Sequence, residues 1–130
     1  MKDFPKPGIV FKDITPVLQN GKAFREVIDA LCAEFKNEKI DKVAAVEARG
    51  FIIGGALAAQ LGCGFIPIRK HGKLPYKTVC CEYSLEYGKD RIEMHCDAVE
   101  KGERVLLVDD LLATGGTMEA TAKLVESCGG

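Results

Sequence analysis

Residues 104–117 read RVLLVDDLLATGGT, an aliphatic run that ends in two adjacent carboxylates and passes into a turn of small residues. An uninterrupted aliphatic run of this length is the pattern of a strand covered on both faces, as strands of a parallel sheet are. The ATGGT segment opens a helix at Thr117. Its amides and hydroxyls therefore gather at a helix N-terminus, where the helix dipole favours an anion. No GK[ST] follows to make a Walker loop, and no GxGxxG supports a dinucleotide site. Taken alone, such a turn fits a tight connection as well as a phosphate cradle.

The acids bear on that choice. At a strand end the charges of Asp109 and Asp110 are uncompensated unless they meet hydroxyls or a cation. The adjacent hydroxyls of a ribose meet that need, and a sugar phosphorylated at one end sets its ring over the acids while its phosphate lies in the turn. A plainer alternative is that one acid caps the turn. The acidic pair of a receiver domain belongs on the first strand, with a third acid and a lysine on later strands, whereas this pair stands on the last.

The rest of the chain alternates helices with short aliphatic strands. Over residues 22–37, Phe24, Val27, Ile28, Leu31, Cys32 and Phe35 fall on one helical face, with Asn20 placed to cap it. KVAAV, residues 42–46, predicts a buried strand. It runs into Gly50 and a small-residue helix, FIIGGALAAQLG, closed by Gly62. CGFIPIR predicts the next strand and KHGKLPYKT a basic loop. VCCEYSLEYGKDRIEMHC predicts two antiparallel strands turning around Gly88, Lys89 and Asp90. The run at 104–108 predicts a fully buried strand. Residues 117–128 predict a helix with Met118, Ala122 and Val125 inward and Gly129 as its stop. FPKPGIVFKDITPVL, with three prolines and a glycine among apolar residues, predicts an ordered but irregular segment rather than a helix. The sum is an α/β fold with a mostly parallel sheet and ligands at the carboxyl ends of its strands. A further strand would ordinarily follow Gly130, so the pattern predicts a sheet edge that is lost or completed by a partner chain.

With 130 residues, 47% of them hydrophobic, the chain suffices for one domain over 1–130. Its 18 basic and 19 acidic residues give a formal charge of -1, which argues against nucleic acid and against an anionic membrane as partners. Pro5, Pro7 and Gly8 break the first residues, and no apolar run approaches the ~20 residues a bilayer requires, so a cytoplasmic location is the expectation. The six cysteines lack CxxC spacing and read as reduced thiols without a catalytic role. Adjacent Cys80 and Cys81 point to opposite faces of their strand.

A second anion site is also suggested. Arg49 follows a strand end in EARG, and Arg69, Lys70, Lys73 and Lys77 sit on a glycine- and proline-containing frame. A solvated surface hairpin accounts for that cluster, as does a set of mobile cations for a diphosphate. His71, inside it, reads as a mobile surface histidine.

VLLVDDLLATGGT resembles the phosphoribosyl diphosphate motif of the type I phosphoribosyltransferases. FPKPGIVFKDITPVL, EARGFIIGGALA, RKHGKLP and YSLEYGKD resemble stretches of the adenine-specific branch of that family. The resemblance runs in order through nearly the whole chain. It implies a type I phosphoribosyltransferase-like fold, with a mostly parallel central sheet flanked by helices and an antiparallel hairpin. It further implies a base-binding segment over 1–18, a flexible basic loop over 69–78 and the donor motif over 104–117. The implied reaction belongs to purine salvage: transfer of the 5-phosphoribosyl group from 5-phosphoribosyl 1-diphosphate to adenine, giving AMP and pyrophosphate, with Mg2+ and as a homodimer.

Residue by residue, the resemblance puts Ala113, Thr114, Gly115, Gly116 and Thr117 at the 5-phosphate. Asp109 and Asp110 go to the ribose hydroxyls and, indirectly, the magnesium. Arg49, Arg69, Lys70 and Lys73 go to the pyrophosphate. Phe11 would stack on adenine while the backbone of Val10 and Lys12 reads its edge. Glu86, with Tyr87 beside it, would handle the purine proton, and closure around Lys73 would exclude water. Relatives of this kind usually continue past the last helix and often carry a helix before FPKPG, so an expected alternative is a donor-binding regulator or inactive truncated remnant. Transfer to another purine base is a third reading, against which the segment around Phe11 argues.

Overall fold

The computed structural model describes residues 14–85, 88–109 and 116–130. In chain order they form α1 (Thr15–Gln19), α2 (Gly21–Phe35), β1 (Lys42–Val46), α3 (Arg49–Leu61), β2 (Gly64–Lys70), β3 (Thr78–Leu85), β4 (Gly88–His95), β5 (Val105–Val108) and α4 (Gly116–Ser127). The strands make one five-stranded sheet in the order β3-β4-β2-β1-β5. β1 pairs in parallel with β2 on one side and β5 on the other, and β4 joins antiparallel to β2 and β3. This is the mixed α/β architecture that the sequence pattern predicts.

β1 is the centre of the molecule because its side chains are short, apolar and covered on both faces: Val43, Ala44 and Ala45 are at most 1% exposed. Alternate residues along the strand face opposite layers. Ala44 and Val46, with Ile66 and Ile68 of β2, pack against Ala120, Leu124 and Val125 of α4. On the other face Ile28 and Cys32 of α2 meet Leu57 of α3. α3 approaches β1 closely because it presents glycines: a β-carbon built on Gly54 would lie 3.0 Å from both the Ala45 methyl and the Phe65 ring.

The cap predicted for α2 is present, with the Asn20 side chain accepting the Ala23 N–H at 3.1 Å, and α3 ends at Gly62 in the left-handed region, φ 76°. Several other expectations are corrected. Thr15–Gln19 is helical, not irregular, because Pro16 sits in the first turn, where its fixed φ suits a helix and its missing N–H has no partner to lose. Residues 1–13 lie outside the described set.

β5 is only partly buried. Among the described residues it is an edge strand, so its side chains reach both cores without being fully covered. On α4 the inward face is Ala120, Thr121, Leu124 and Val125, while Met118 and Ala122 are only partly covered. Thr121 joins that face because its hydroxyl donates to the Thr117 carbonyl at 2.7 Å, so its buried oxygen is paired. The hairpin pairs Leu85 with Gly88, so Gly88, Lys89 and Asp90 belong to β4 rather than to the predicted turn. Arg69 and Lys70 belong to β2, which shortens the basic loop to residues 71–77.

The glycines of α3 provide a paired test. Gly54→Ala presses a methyl into backbone-proximal contacts and costs about 1–3 kcal/mol despite its gain in helix propensity. Gly55, where an added β-carbon meets nothing within 4 Å, gains about 0.5–1 kcal/mol on change to Ala. Denaturant unfolding of the two variants against the parent measures both signs.

Candidate active site

The parallel strands bring three carboxyl ends side by side, with Glu47 and Arg49 beyond β1, Arg69 and Lys70 ending β2, and Asp109 beyond β5. Arg49 opens α3 rather than hanging in a loop. A β-carbon on Gly50, the next residue, would stand 3.4 Å from the Val108 carbonyl and 3.8 Å from Asp109 Oδ1. The first acid of the paired motif is thus set against the start of α3, and the missing side chain at Gly50 is what allows it.

The cations of the basic cluster are organised by acids that the sequence reading passed over. Glu47, with a side chain 12% exposed, accepts the Lys70 backbone N–H on Oε1 at 2.7 Å. Its Oε2 accepts Arg69 Nη2 at 3.3 Å and Lys73 Nζ at 3.1 Å. Burial pushes this carboxyl up, but the hydrogen bonds from Lys70, Lys73 and Arg69 outweigh it and hold the acid below its usual range.

Glu93 of β4 does the same at the base of the loop. Its carboxylate accepts the Thr78 hydroxyl at 2.9 Å and the Gly72 N–H at 3.3 Å, and it pairs with His71 Nδ1. Here too burial raises the carboxyl, and the bonds from Thr78, His71 and Gly72 carry it below its ordinary value. His71 is therefore anchored, against the expectation of a mobile surface histidine, because the pairing of Arg69 with Glu93 brings that acid beneath the loop. Further along, His95 Nε2 donates to the Pro75 carbonyl at 2.9 Å.

Lys70 parts from the other cations. Adjacent residues of a strand point to opposite faces, and Lys70 Nζ lies 3.2 Å from Asp90 Oδ2 while Arg69 turns to Glu47. The hydrogen bond to Asp90 raises the Lys70 ammonium above its ordinary value. The Arg91 backbone N–H, followed by Lys70, holds Asp90 low. Tyr83 completes the group, its hydroxyl 3.5 Å from Asp90 Oδ2 and close enough to the Thr117 side chain, on the first turn of α4, to be influenced by it. Burial, then the charge of Asp90, pushes the phenol up.

Of the residues singled out in the sequence, the structure thus brings Arg49, Arg69, Lys73 and Asp109 to the strand ends, and places Gly116 and Thr117 at the start of α4. Val10, Phe11, Lys12, Glu86, Tyr87, Asp110, Ala113, Thr114 and Gly115 lie outside the described residues. Leu85 and Gly88 flank the positions of Glu86 and Tyr87. Glu47, just beyond β1, and Glu93, within β4, were missed because a single acid in or beside a strand carries no signal in sequence; only the register shows which groups it meets.

The family described as phosphoribosyl transferase domain matches residues 13–130. The chain is 61% identical over 127 residues to the adenine phosphoribosyltransferase of Bradyrhizobium sp. strain ORS 278, an alignment covering 98% of this chain and 71% of that one. The crystal structure of adenine phosphoribosyltransferase from Thermoanaerobacter pseudethanolicus superposes with a TM-score of 0.95 at 59% identity, over 100% of this chain and 76% of that one. The Saccharomyces cerevisiae adenine phosphoribosyltransferase, complexed with D-2,5-dideoxy-2,5-imino-altritol 1,6-bisphosphate and adenine, superposes with a TM-score of 0.92 at 42% identity, over 98% of this chain and 75% of that one. A mixed sheet whose parallel strand ends gather Asp109, Arg49, Arg69 and Lys73, in a chain matched along nearly its whole length by these enzymes, places the chain in the phosphoribosyltransferase family, among the adenine phosphoribosyltransferases.

Proposed function

We propose that the chain catalyses purine salvage, transferring the 5-phosphoribosyl group from 5-phosphoribosyl 1-diphosphate to adenine to give AMP and pyrophosphate. The observation that carries this reading is the convergence of Asp109, Arg49, Arg69 and Lys73 on one end of the sheet, beside the first turn of α4. A donor with an anion at each end of a ribose suits that layout. The yeast relative, complexed with adenine and a bisphosphate of an imino-sugar, is consistent with it.

In this reading the 5-phosphate lies in the turn of Ala113, Thr114, Gly115, Gly116 and Thr117, and Asp109 and Asp110 grip the ribose hydroxyls. Arg49, Arg69, Lys70 and Lys73 serve the diphosphate, with Lys70 acting from its place beside Asp90. Adenine lies on Phe11, its edge read by the backbone of Val10 and Lys12. A purine ring nitrogen forms the new bond to the anomeric carbon while the bond from that carbon to the diphosphate oxygen breaks. Pyrophosphate leaves with the electron pair, and the ring proton passes to Glu86, with Tyr87 beside the base. Closure around Lys73 keeps water from the oxocarbenium-like sugar.

Magnesium fits this arrangement as an ion brought in on the donor. Among the described residues no group of three or more His, Cys, Asp or Glu is placed to hold a metal. Magnesium is commonly held by one or two carboxylates together with substrate phosphates and waters, a demand that Asp109, with Asp110, can meet through water or substrate. When bound it supplies charge neutralisation on the diphosphate. Six free cysteines fit a reducing compartment, and no helix of the described residues is long and apolar enough to cross a membrane. A cytoplasmic homodimer completes the proposal.

The test is incubation of the purified chain with labelled adenine, 5-phosphoribosyl 1-diphosphate and Mg2+, with AMP as the expected product. Donor binding without AMP overturns the transferase reading in favour of a regulator or remnant, and a preference for guanine or hypoxanthine redirects it to another purine. Asp109→Asn combined with Asp110→Asn weakens donor binding at least tenfold, read by titration calorimetry. Glu86→Ala lowers kcat about 100-fold or more, the ordinary contribution of a general base, with little change in the KM for donor.

A further inference from the structure

Arg69 and Lys73 already hold an anion, and it belongs to the protein. Both donate to the same atom, Glu47 Oε2, at 3.3 and 3.1 Å. One oxygen held between a guanidinium and an ammonium is also what a phosphate oxygen would find there. The partner oxygen, Oε1, is fixed by the Lys70 backbone N–H at 2.7 Å, so the carboxylate is held by the main chain whatever the two cations do.

The cations are less committed than the acid. Lys73 is 49% exposed on its side chain and Arg69 37%, against 12% for Glu47. Arg69 Nε is buried without a hydrogen-bond partner, an arrangement that costs free energy until an acceptor arrives. The base of the loop is anchored separately, through Gly72, His71 and Thr78 on Glu93. Lys73 can therefore let go of Glu47 without undoing the loop.

We propose that Glu47 is a displaceable internal counter-ion, holding Arg69 and Lys73 until a diphosphate takes them over and recovering them as pyrophosphate leaves. The inference rests on the proposed function, since it assigns these two cations to the diphosphate. Glu47 is a positioning residue here: it acts through Arg69 and Lys73. Its charge keeps them gathered and their mutual repulsion low in the substrate-free protein. The same charge repels the incoming diphosphate and competes for its partners. Removing the charge while keeping the acceptor therefore strengthens diphosphate binding, a sign opposite to that expected from the loss of a merely structural contact.

The experiment is calorimetric titration of pyrophosphate, with and without Mg2+, into the parent chain and into Glu47→Gln, which retains an oxygen for the Lys70 N–H. The expected result is Kd lowered about two- to fivefold, the scale of a half-exposed ion pair, with KM for the donor falling alongside kcat as pyrophosphate release slows. In a Lys73→Met background the same substitution should change Kd by less than half as much on a logarithmic scale. Glu47→Asp, which keeps the charge but withdraws it by one methylene, should tighten binding by a smaller factor and serves where Glu47→Gln does not fold. Unchanged or weaker pyrophosphate binding by Glu47→Gln overturns this inference alone. No binding of pyrophosphate by the parent chain overturns the transferase reading and this one with it.

Discussion

Ala45 on β1 faces Gly50 and Gly54 on α3, and the absence of a β-carbon at both glycines lets the helix lie directly on the strand. That contact sets the rest of the site. A larger residue at Gly54 would lift α3 from the sheet, and one at Gly50 would push its first turn away from Val108 and Asp109. Arg49, the residue before Gly50 at the start of α3, is carried into place by the same seat. Because β1 is paired on both sides, the start of α3 is held between the ends of β2 and β5. Packing among the smallest side chains of the molecule thus fixes where its charged groups meet.

Electrostatics adds a second layer to that frame. The basic cluster looks in sequence like a set of repelling cations, yet acids meet it from the sheet: Arg69 and Lys73 share Glu47, Lys70 pairs with Asp90, and His71 hydrogen-bonds Glu93. The three acids carry carboxyls held below their ordinary range, so they stay charged well into the acidic region. The loop is consequently drawn toward the sheet by these acids. An anion that reached Arg69 and Lys73 would compete with the Glu47 carboxylate for both.

Much of this was legible in the sequence where a short-range pattern decides the outcome. The stripe of α2 with its Asn20 cap, the KVAAV strand and the Gly62 stop depend on neighbours a few residues apart, and they stand as read. β5 was read as fully buried because an aliphatic run reports hydrophobicity and not whether a strand has one neighbour or two. The face of α4 was misplaced because Ala and Thr are nearly neutral markers, so a buried Thr121 bonded to its own helix carries no sequence signal. Glu47 and Glu93 were invisible for a stronger reason. Their partners lie 22 to 26 residues away for Glu47 and 15 to 22 for Glu93, and only the strand register makes them neighbours.

The same register ties the two ends of the site together. Tyr83 on β3 links Thr117, in the first turn of α4, to Asp90 on β4, and Asp90 holds Lys70 at the end of β2. The path crosses three hydrogen-bonded strands, β3, β4 and β2, whose spacing is set by backbone pairing at roughly 4.8 Å per step. The interval between the helix N-terminus and the end of β2 is therefore set by the sheet rather than by flexible side chains. A ligand with an anion at each end of a sugar has a fixed length of its own, and a fixed interval in the protein is what makes that length selectable. The hairpin of β3 and β4, which the sequence presents only as an antiparallel addition to a parallel sheet, is the element that spans this interval.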